Sequence, residues 1–81
     1  SRKLMGVKIE TKSINVSQSI PMLDLNNNVI GQLRSAAYSP KFKKVVGIAM
    51  VKKDFCNILE KFQIKLNNNS ISGEICNLPI L

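Results

Sequence analysis

The sequence predicts an all-β fold, a small antiparallel Greek-key barrel of about six strands with at most one or two short helical turns. Three observations indicate this fold. Short apolar or alternating runs recur along the 81 residues at close spacing, with almost no helical pattern between them. Two Asn triplets, at 26–28 and 67–69, separate such runs as hairpin turns do. A sheet this small exposes both of its edges unless it closes, which favours a barrel.

The first half of the chain predicts two strands before the first Asn triplet. In residues 3–10, Met5, Val7 and Ile9 alternate with their neighbours and so share one side of a strand. Residues 11–19 are polar and irregular, and they fit either a short strand or a loop. Residues 20–25 indicate an extended edge segment, because Pro21 lacks the N–H that a central strand needs.

Residues 28–53 carry the two central strands. The first of them is predicted to end at Ser39, because Pro40 has no backbone N–H and restricts the preceding residue to extended geometry. A basic bridge at 41–44 follows. Residues 45–51 are then wholly apolar and rich in Val and Ile, which is typical of a buried strand.

Both sides of this second central strand are apolar, yet one side carries small residues at its middle. We expect large side chains to fill the barrel, so that Gly47 and Ala49 face outward as a domain-docking surface. The residues expected inside are Val46, Ile48 and Met50. The alternative is that the small residues face a crowded interior and the large ones form an exposed apolar stripe.

The last third of the chain predicts a short helical segment and a second hairpin. Asp54 is a suitable N-cap for one or two helical turns within residues 54–60. The apolar residues at helical spacing in this segment are Phe55, Ile58 and Leu59. Residues 61–66 alternate, with Phe62, Ile64 and Leu66 directed at the core. After the second Asn triplet, a final strand runs towards Pro79.

Length and composition indicate one domain, residues 1–81, with room for a single core. No apolar run approaches the ~18–20 residues that a membrane span needs, and no signal-peptide pattern opens the chain. We therefore expect a cytoplasmic protein without a membrane partner. The chain does not open with Met, and we expect it to be a fragment of a larger chain.

The formal net charge is +7, from 12 Lys and Arg against 5 Asp and Glu. Such a balance permits binding to nucleic acid, anionic lipid or an acidic protein. The cations that flank the second central strand are Lys41, Lys43, Lys44, Lys52 and Lys53. Because strand ends ordinarily carry solvated charge, we favour that interpretation over a dedicated polyanion site.

No catalytic constellation can be assembled from the sequence. There is no His, and the five carboxylates are scattered without a pair at meaningful spacing. Cys56 and Cys76 alone cannot build a structural metal site, so we expect no metal. We interpret both as thiols in a reducing compartment, with a disulfide as the alternative.

One motif carries a family resemblance. The order Gly-x-Leu-Arg-Ser-x-x-Tyr-Ser-Pro at residues 31–40, followed by Lys-Lys-x-Val-Gly-Ile-Ala-Met-Val at 43–51, resembles the C-terminal barrel domain of the glycine cleavage T-protein (aminomethyltransferase) family. The resemblance runs from about residue 4 to residue 79. T-proteins usually have Thr-Ser-Gly where this chain has Arg-Ser-Ala at 34–36. That departure favours the dimethylsulfoniopropionate demethylase branch of the family.

The resemblance implies an accessory role in a tetrahydrofolate-dependent one-carbon transferase. In that family the N-terminal part binds tetrahydrofolate and carries the catalytic acidic residue, and the barrel packs over it. This domain alone is then expected to bind no cofactor tightly and to catalyse nothing, and its partner is the N-terminal folate-binding part of the same enzyme. Arg34, Tyr38 and Ser39 match the family motif and carry over as cofactor-binding residues that line the entrance.

Each of these three residues also has a purely structural interpretation. Arg34 is either an outward residue of an alternating strand or a partner of Asp24 across the hairpin. Tyr38 can plug the barrel end with its ring, and Ser39 can simply stop the strand. A different function for the whole chain also stays open, that of a small basic barrel binding nucleic acid or an acidic protein.

Overall fold

Six antiparallel strands close into a barrel in the computed structural model, which describes residues 1–80. The strands are β1 (Arg2–Ile9), β2 (Ile20–Leu23), β3 (Val29–Ser39), β4 (Lys44–Lys52), β5 (Lys61–Leu66) and β6 (Asn69–Cys76). Their order around the barrel is β1-β4-β3-β2-β5-β6, and β6 pairs with β1 to close it. β2, β3 and β4 are neighbours in chain order. The long connection at 10–19 joins β1 to β2 across the barrel, and β1 lies beside β4. This is the predicted Greek key.

Alternation along each strand fills the barrel interior with apolar side chains. Met5, Val7 and Ile9 of β1 are buried, as predicted from their spacing. The remaining buried apolar residues are Met22, Ile30, Leu33, Val45, Ala49, Val51, Phe62, Ile64 and Ile75. Among residues 1–80 no polar or charged side chain is fully buried, so the core is wholly apolar.

Both Asn triplets form the predicted hairpin turns. Asn27, Asn67 and Asn68 have φ between 50° and 68°, in the left-handed region that Asn tolerates better than most residues. In the first turn the Asp24 carboxylate accepts the backbone N–H groups of Asn28 and Asn26, each at 2.9 Å. These bonds, led by the one from Asn28, hold the pKa of Asp24 below its ordinary value of 3.8.

The contact between β2 and β5 is the weakest seam of the barrel. Leu23 and Gln63 are the one registered pair between these strands. The Gln63 side-chain amide compensates by donating to the carbonyl oxygen of Asp24 at 3.2 Å and to the Asn27 side chain at 3.4 Å. The first Asn turn is therefore tied to β5 through a side chain rather than through a ladder of backbone bonds.

The predicted helical turns at 54–60 shrink to a single 3₁₀ turn, Lys53–Phe55. Ile58 and Leu59 do not pack inward as a helix face would require, since both are exposed. The reason lies in β6. The Leu59 N–H donates to the carbonyl of Ile75 at 2.8 Å, and the Ile75 N–H donates to the carbonyl of Glu60 at 2.9 Å, which holds this segment as a turn against β6. Residues 10–19 form a loop, and no helix in residues 1–80 is long and apolar enough to cross a membrane.

The predicted orientation of β4 is wrong. Gly47 and Ala49 face the barrel interior, whereas Ile48 on the other side of the strand is exposed. Ala49 is fully buried between its cross-strand partners Met5 and Leu33. Because those large side chains already fill the interior at this level, only a small residue fits between them. Val46 and Met50 share the outer side with Ile48 and are half-buried.

Candidate docking surface

On the outer side of β1, β4 and β3, the β4 residues Val46, Ile48 and Met50 form an apolar row, with Lys8 of β1 beside Val46 and Gln32 of β3 beside Met50. Leu4 of β1 pairs with Met50 of β4, and Gly6 pairs with Ile48. We call the resulting surface the outer apolar face, and it consists of Leu4, Ala37, Val46, Ile48, Met50 and Ile80. Ile48, in the middle of β4, is 37% exposed, and Leu4, beyond the end of the β1–β6 pairing, is 49% exposed. A sheet side of this kind is the type of surface that another protein surface covers.

The opposite side of the barrel is polar, which makes the outer apolar face distinctive. On β5 and β6 the outward positions hold Lys61, Lys65 and Glu74, together with Gln and Ser residues. Lys61 and Glu74 form an ion pair at 2.8 Å, which lowers the pKa of Glu74. This side is an ordinary solvated sheet surface. The apolar side is therefore a local property of β1, β4 and β3 rather than of the whole barrel.

The C-terminal segment crosses the outer apolar face and packs on Gly6. A Cβ atom placed on Gly6 would lie 2.8 Å from Cγ1 of Ile80 and 2.9 Å from the carbonyl oxygen of Asn77. Only a residue without a side chain leaves room for this crossing. Ile80 is thereby held on the surface, where it adds to the apolar area between β1 and β3.

A β-bulge in β3 opens a slot in this surface. The register between β3 and β4 shifts between Leu33 and Ser35, so that one residue of β3 is left without a partner. Beside the bulge lies a cavity of about 290 Å³, which we call the bulge slot. It is lined by Ser35, Ala36, Ala37, Val46, Gly47, Ile48 and Ile80. The slot is apolar, since its one side-chain polar group is the Ser35 hydroxyl.

Cations surround the outer apolar face. Arg2 and Lys52, both exposed, pair directly across β1 and β4 at one end. Arg34 is exposed at the bulge. At the other end Lys44 forms an ion pair with Glu10 at 2.5 Å, which raises the pKa of Lys44. An apolar centre with a charged rim is the usual anatomy of a protein–protein interface.

The structure does not bring the three predicted cofactor-lining residues to one corner. Arg34 lies at the bulge, and Tyr38 lies four residues further along the same strand, about 13 Å away at the rise of an extended chain. Tyr38 is 44% exposed at the barrel end, and the Ser39 hydroxyl accepts the Phe42 N–H at 3.4 Å. Arg34 is outward-facing, and the Asp24 carboxylate is engaged by backbone N–H groups instead.

The aromatic side chains do not form a stacking platform for nucleic acid. Phe62 is buried in the core, and the Phe42 ring is covered by the ammonium group of Lys8 at 4.1 Å from its centroid. Lys41 lies 5.4 Å from the same centroid. Single-strand-binding barrels stack successive bases on several rings, whereas Tyr38 is the one exposed ring among residues 1–80. Nothing in this arrangement supports the nucleic-acid alternative.

Neither cysteine is paired, and both are half-buried. The Cys56 thiol donates to the backbone carbonyl oxygens of Lys52 at 3.4 Å and Val51 at 3.6 Å, while burial raises the pKa of the Cys76 thiol. Within residues 1–80, no group of three or more Cys, Asp or Glu side chains lies close enough to hold a metal ion.

The outer apolar face was only half visible in the sequence. The apolar side formed by Val46, Ile48 and Met50 was recognised, but the sequence alone placed it inside the barrel. The local sequence around Leu4 and Ile80 does not predict that they belong to this surface. Leu4 joins it by pairing with β4, and Ile80 joins it by packing on β1. The bulge slot likewise depends on a register shift that no local pattern announces.

The fold and surface define a small closed Greek-key barrel with the outer apolar face on one side. A family model, Glycine cleavage T-protein C-terminal barrel domain, matches residues 2–81, and the chain belongs to that family. It is 32% identical over 81 residues to an aminomethyltransferase from Halothermothrix orenii. The match covers 100% of this chain and 22% of the relative.

A solved structure has the same fold. The crystal structure of glycine cleavage system aminomethyltransferase T from Bartonella henselae matches with a TM-score of 0.86 at 23% identity, over 100% of this chain and 22% of that one. This chain therefore spans about a fifth of the length of both proteins. The larger aminomethyltransferases contain the barrel as one part of a longer chain.

Proposed function

We propose that this chain is the accessory C-terminal barrel of a tetrahydrofolate-dependent one-carbon transferase, and that it docks on the folate-binding part and closes it. The observation that carries the proposal is the outer apolar face, where Leu4 and Ile48 are exposed on a barrel whose relatives are about five times longer. A surface of this kind is stabilised when a partner covers it. In such an enzyme the covering surface belongs to the remainder of the same chain.

The charges around the outer apolar face indicate which charges we expect on the partner surface. Arg2, Lys52 and Arg34 leave several positive charges beside an apolar centre. The complementary surface has an apolar centre and acidic residues at its edge, because opposite potentials fix the register of two docking surfaces. The predicted docking role therefore moves from Gly47 and Ala49 to the opposite side of β4.

The barrel supplies structure to this enzyme and no reacting group. It contains no His, and four of its five carboxylates are already engaged: Glu10 and Glu74 by lysines, Glu60 by the Asn57 side chain, and Asp24 by backbone N–H groups. The bulge slot does not fit tetrahydrofolate, because about 290 Å³ of apolar space accepts neither the size nor the charge of a folate. Tetrahydrofolate is thus assigned to the folate-binding part.

We keep Arg34, Tyr38 and Ser39 as candidate lining residues of the folate entrance in the assembled enzyme. Arg34 is best placed, because it is exposed at the rim of the outer apolar face and carries a planar cation suited to a carboxylate. Tyr38 and Ser39 lie at the barrel end and reach the entrance only if that end also faces the folate-binding part.

The demethylase branch is the more specific form of this proposal. It rests on Arg34-Ser35-Ala36 in place of the Thr-Ser-Gly that T-proteins usually carry at the bulge. Assaying the enzyme that contains this barrel with a sulfonium methyl donor and with an aminomethyl donor distinguishes the two. Turnover of the aminomethyl donor alone would overturn the demethylase assignment and leave the docking proposal intact.

A chimera tests the docking. In it, this chain replaces the matching region of the Halothermothrix orenii aminomethyltransferase, and unfolding is followed by calorimetry with and without tetrahydrofolate. We expect one cooperative transition, and we expect tetrahydrofolate to raise its midpoint, because a ligand stabilises every domain that unfolds together with its site. A barrel that melts separately, at the temperature of the isolated 81-residue chain and without response to tetrahydrofolate, would overturn the proposal.

A matched pair of variants shows which surface is responsible. Met50→Asp places a charge within the outer apolar face, and Lys65→Asp places the same side chain on the solvated side of β5. We expect Met50→Asp to divide the unfolding of the chimera into two separate transitions. We expect Lys65→Asp to leave a single cooperative transition. The isolated chain provides the reference midpoint for each variant.

A further inference from the structure

The bulge slot is an open cavity on the outer apolar face, and its floor is formed by one small side chain and by strand backbone. Across the β3–β4 ladder Ala36 pairs with Gly47, and Ala37 pairs with Val46. The Ala36 and Gly47 positions face the barrel interior, so Ala37 and the strand backbone at 36 and 47 form a low floor, while Ile48 and Ile80 rise beside it. A β-bulge increases local twist and bends the strand, which separates these walls further.

No side chain of residues 1–80 enters the slot, although its lining is almost wholly apolar. Empty apolar concavities on a protein surface are the sites at which apolar anchors of a partner are buried. The volume of about 290 Å³ lies at the lower limit of small-molecule pockets. The slot therefore accepts one large side chain and excludes a whole cofactor.

We propose that the bulge slot receives one aromatic or branched apolar side chain presented by the folate-binding part of the same enzyme. This inference rests on the docking proposed above and identifies its anchor. The occupant lies outside residues 1–80, and the relatives have nearly four-fifths of their chain outside the matching region. Arg34 stands next to Ser35 at the slot, so an acidic residue beside the anchor completes the recognition.

The slot can be tested without any docking partner. Indole, a probe with the size and shape of a large aromatic side chain, is titrated into the isotope-labelled 81-residue chain and followed by two-dimensional NMR. We expect saturable shift changes confined to residues 35–37, 46–48 and 80, and we expect Ala37→Trp to abolish them by filling the slot. The absence of saturable binding, or shifts spread over the whole barrel, would overturn the proposal.

The anchor itself is tested in the chimera. Ala37 is exposed, so Ala37→Trp should leave the midpoint of the isolated chain unchanged or raised, yet it should separate the barrel from the folate-binding part. Met50→Asp, which lies on the same face outside the slot, is the comparison variant. If Met50→Asp splits the transition and Ala37→Trp does not, the anchor is overturned and the docking stands. If neither variant splits it, the docking on this face fails as well.

Discussion

Gly47 lies directly against the backbone of Ser35, on the inner side of the bulge in β3. A Cβ atom on Gly47 would collide with the carbonyl oxygen of Ser35 and would approach Cδ1 of Leu33 to 3.1 Å. The obstacle is backbone, which cannot rotate away as a flexible side chain can. Gly47, whose backbone lines the bulge slot, is thus required by the packing of the barrel interior.

Gly47→Ala is therefore expected to destabilise the barrel. Alanine is normally the better strand residue by a small margin, but here the collision outweighs that gain and costs about 1–3 kcal/mol. In a chain of this size each kcal/mol lowers the unfolding midpoint by about 4–8 °C. Ser72→Ala, an exposed change to the same residue on β6, is the control and should leave the midpoint almost unchanged. A neutral Gly47→Ala would contradict the close packing at the bulge.

Ala49→Leu tests which side of β4 faces inward. Because Ala49 is fully buried between Met5 and Leu33, overpacking should cost roughly 1–3 kcal/mol in the 81-residue chain itself. Ile48→Leu, a change of shape at constant volume on the outer side, should be nearly neutral. Chemical denaturation of both variants gives the comparison. Equal stability of Ala49→Leu and the parent chain would place Ala49 on the outside after all.

The Asp24 turn predicts a particular pH dependence. Its pKa is lowered in the folded chain, mainly by the N–H of Asn28, so its contribution to stability is complete above the unfolded value of 3.8. That contribution is lost as pH falls through the folded pKa. We expect the midpoint difference between the parent chain and Asp24→Asn to be constant above about pH 5 and to shrink as the pH falls through the folded pKa of Asp24. Asp54→Asn, another exposed aspartate, provides the reference, and a pH-independent difference for Asp24→Asn would contradict the role of the turn.

Arg2 and Lys52 are like charges that face each other directly across β1 and β4. Lys52→Glu replaces this repulsion with attraction, which should stabilise the chain by about 0.2–1 kcal/mol at low salt. Lys65→Glu changes the net charge equally, but its cross-strand partner is the neutral Ser70, and it should give no comparable gain. The advantage of Lys52→Glu should fade at about 1 M salt, where exposed charges are screened. A gain in stability that persists in high salt would contradict the attraction between Arg2 and the new glutamate as its cause.

Local patterns predicted most of the fold. Period-two alternation located the strands, Pro40 marked the end of β3, and the Asn triplets marked both hairpins, because each of these signals acts within a few residues. Ile58 and Leu59 misled the prediction of a helix, since the hydrogen bonds that hold this segment as a turn against β6 come from Ile75, sixteen residues beyond Leu59.

The candidate site was harder to predict because it depends on contacts distant in sequence. Both sides of β4 are apolar, so only its register with Met5 and Leu33 decides that Ala49 points inward and Ile48 outward. The bulge slot requires a register shift that the sequence does not mark. The family resemblance identified the domain family, yet it did not indicate which side of the barrel is apolar.

The most direct test of docking through the outer apolar face is hydroxyl-radical footprinting of that face, in the isolated chain and in the chimera. Leu4, Ile48 and Met50 should react in the isolated chain and become protected in the chimera, because the folate-binding part covers them. Leu25, which is 92% exposed on the first Asn turn, should react equally in both and serves as the internal reference. Equal labelling of Leu4, Ile48 and Met50 in the two proteins would contradict the proposal that this face is where the barrel docks.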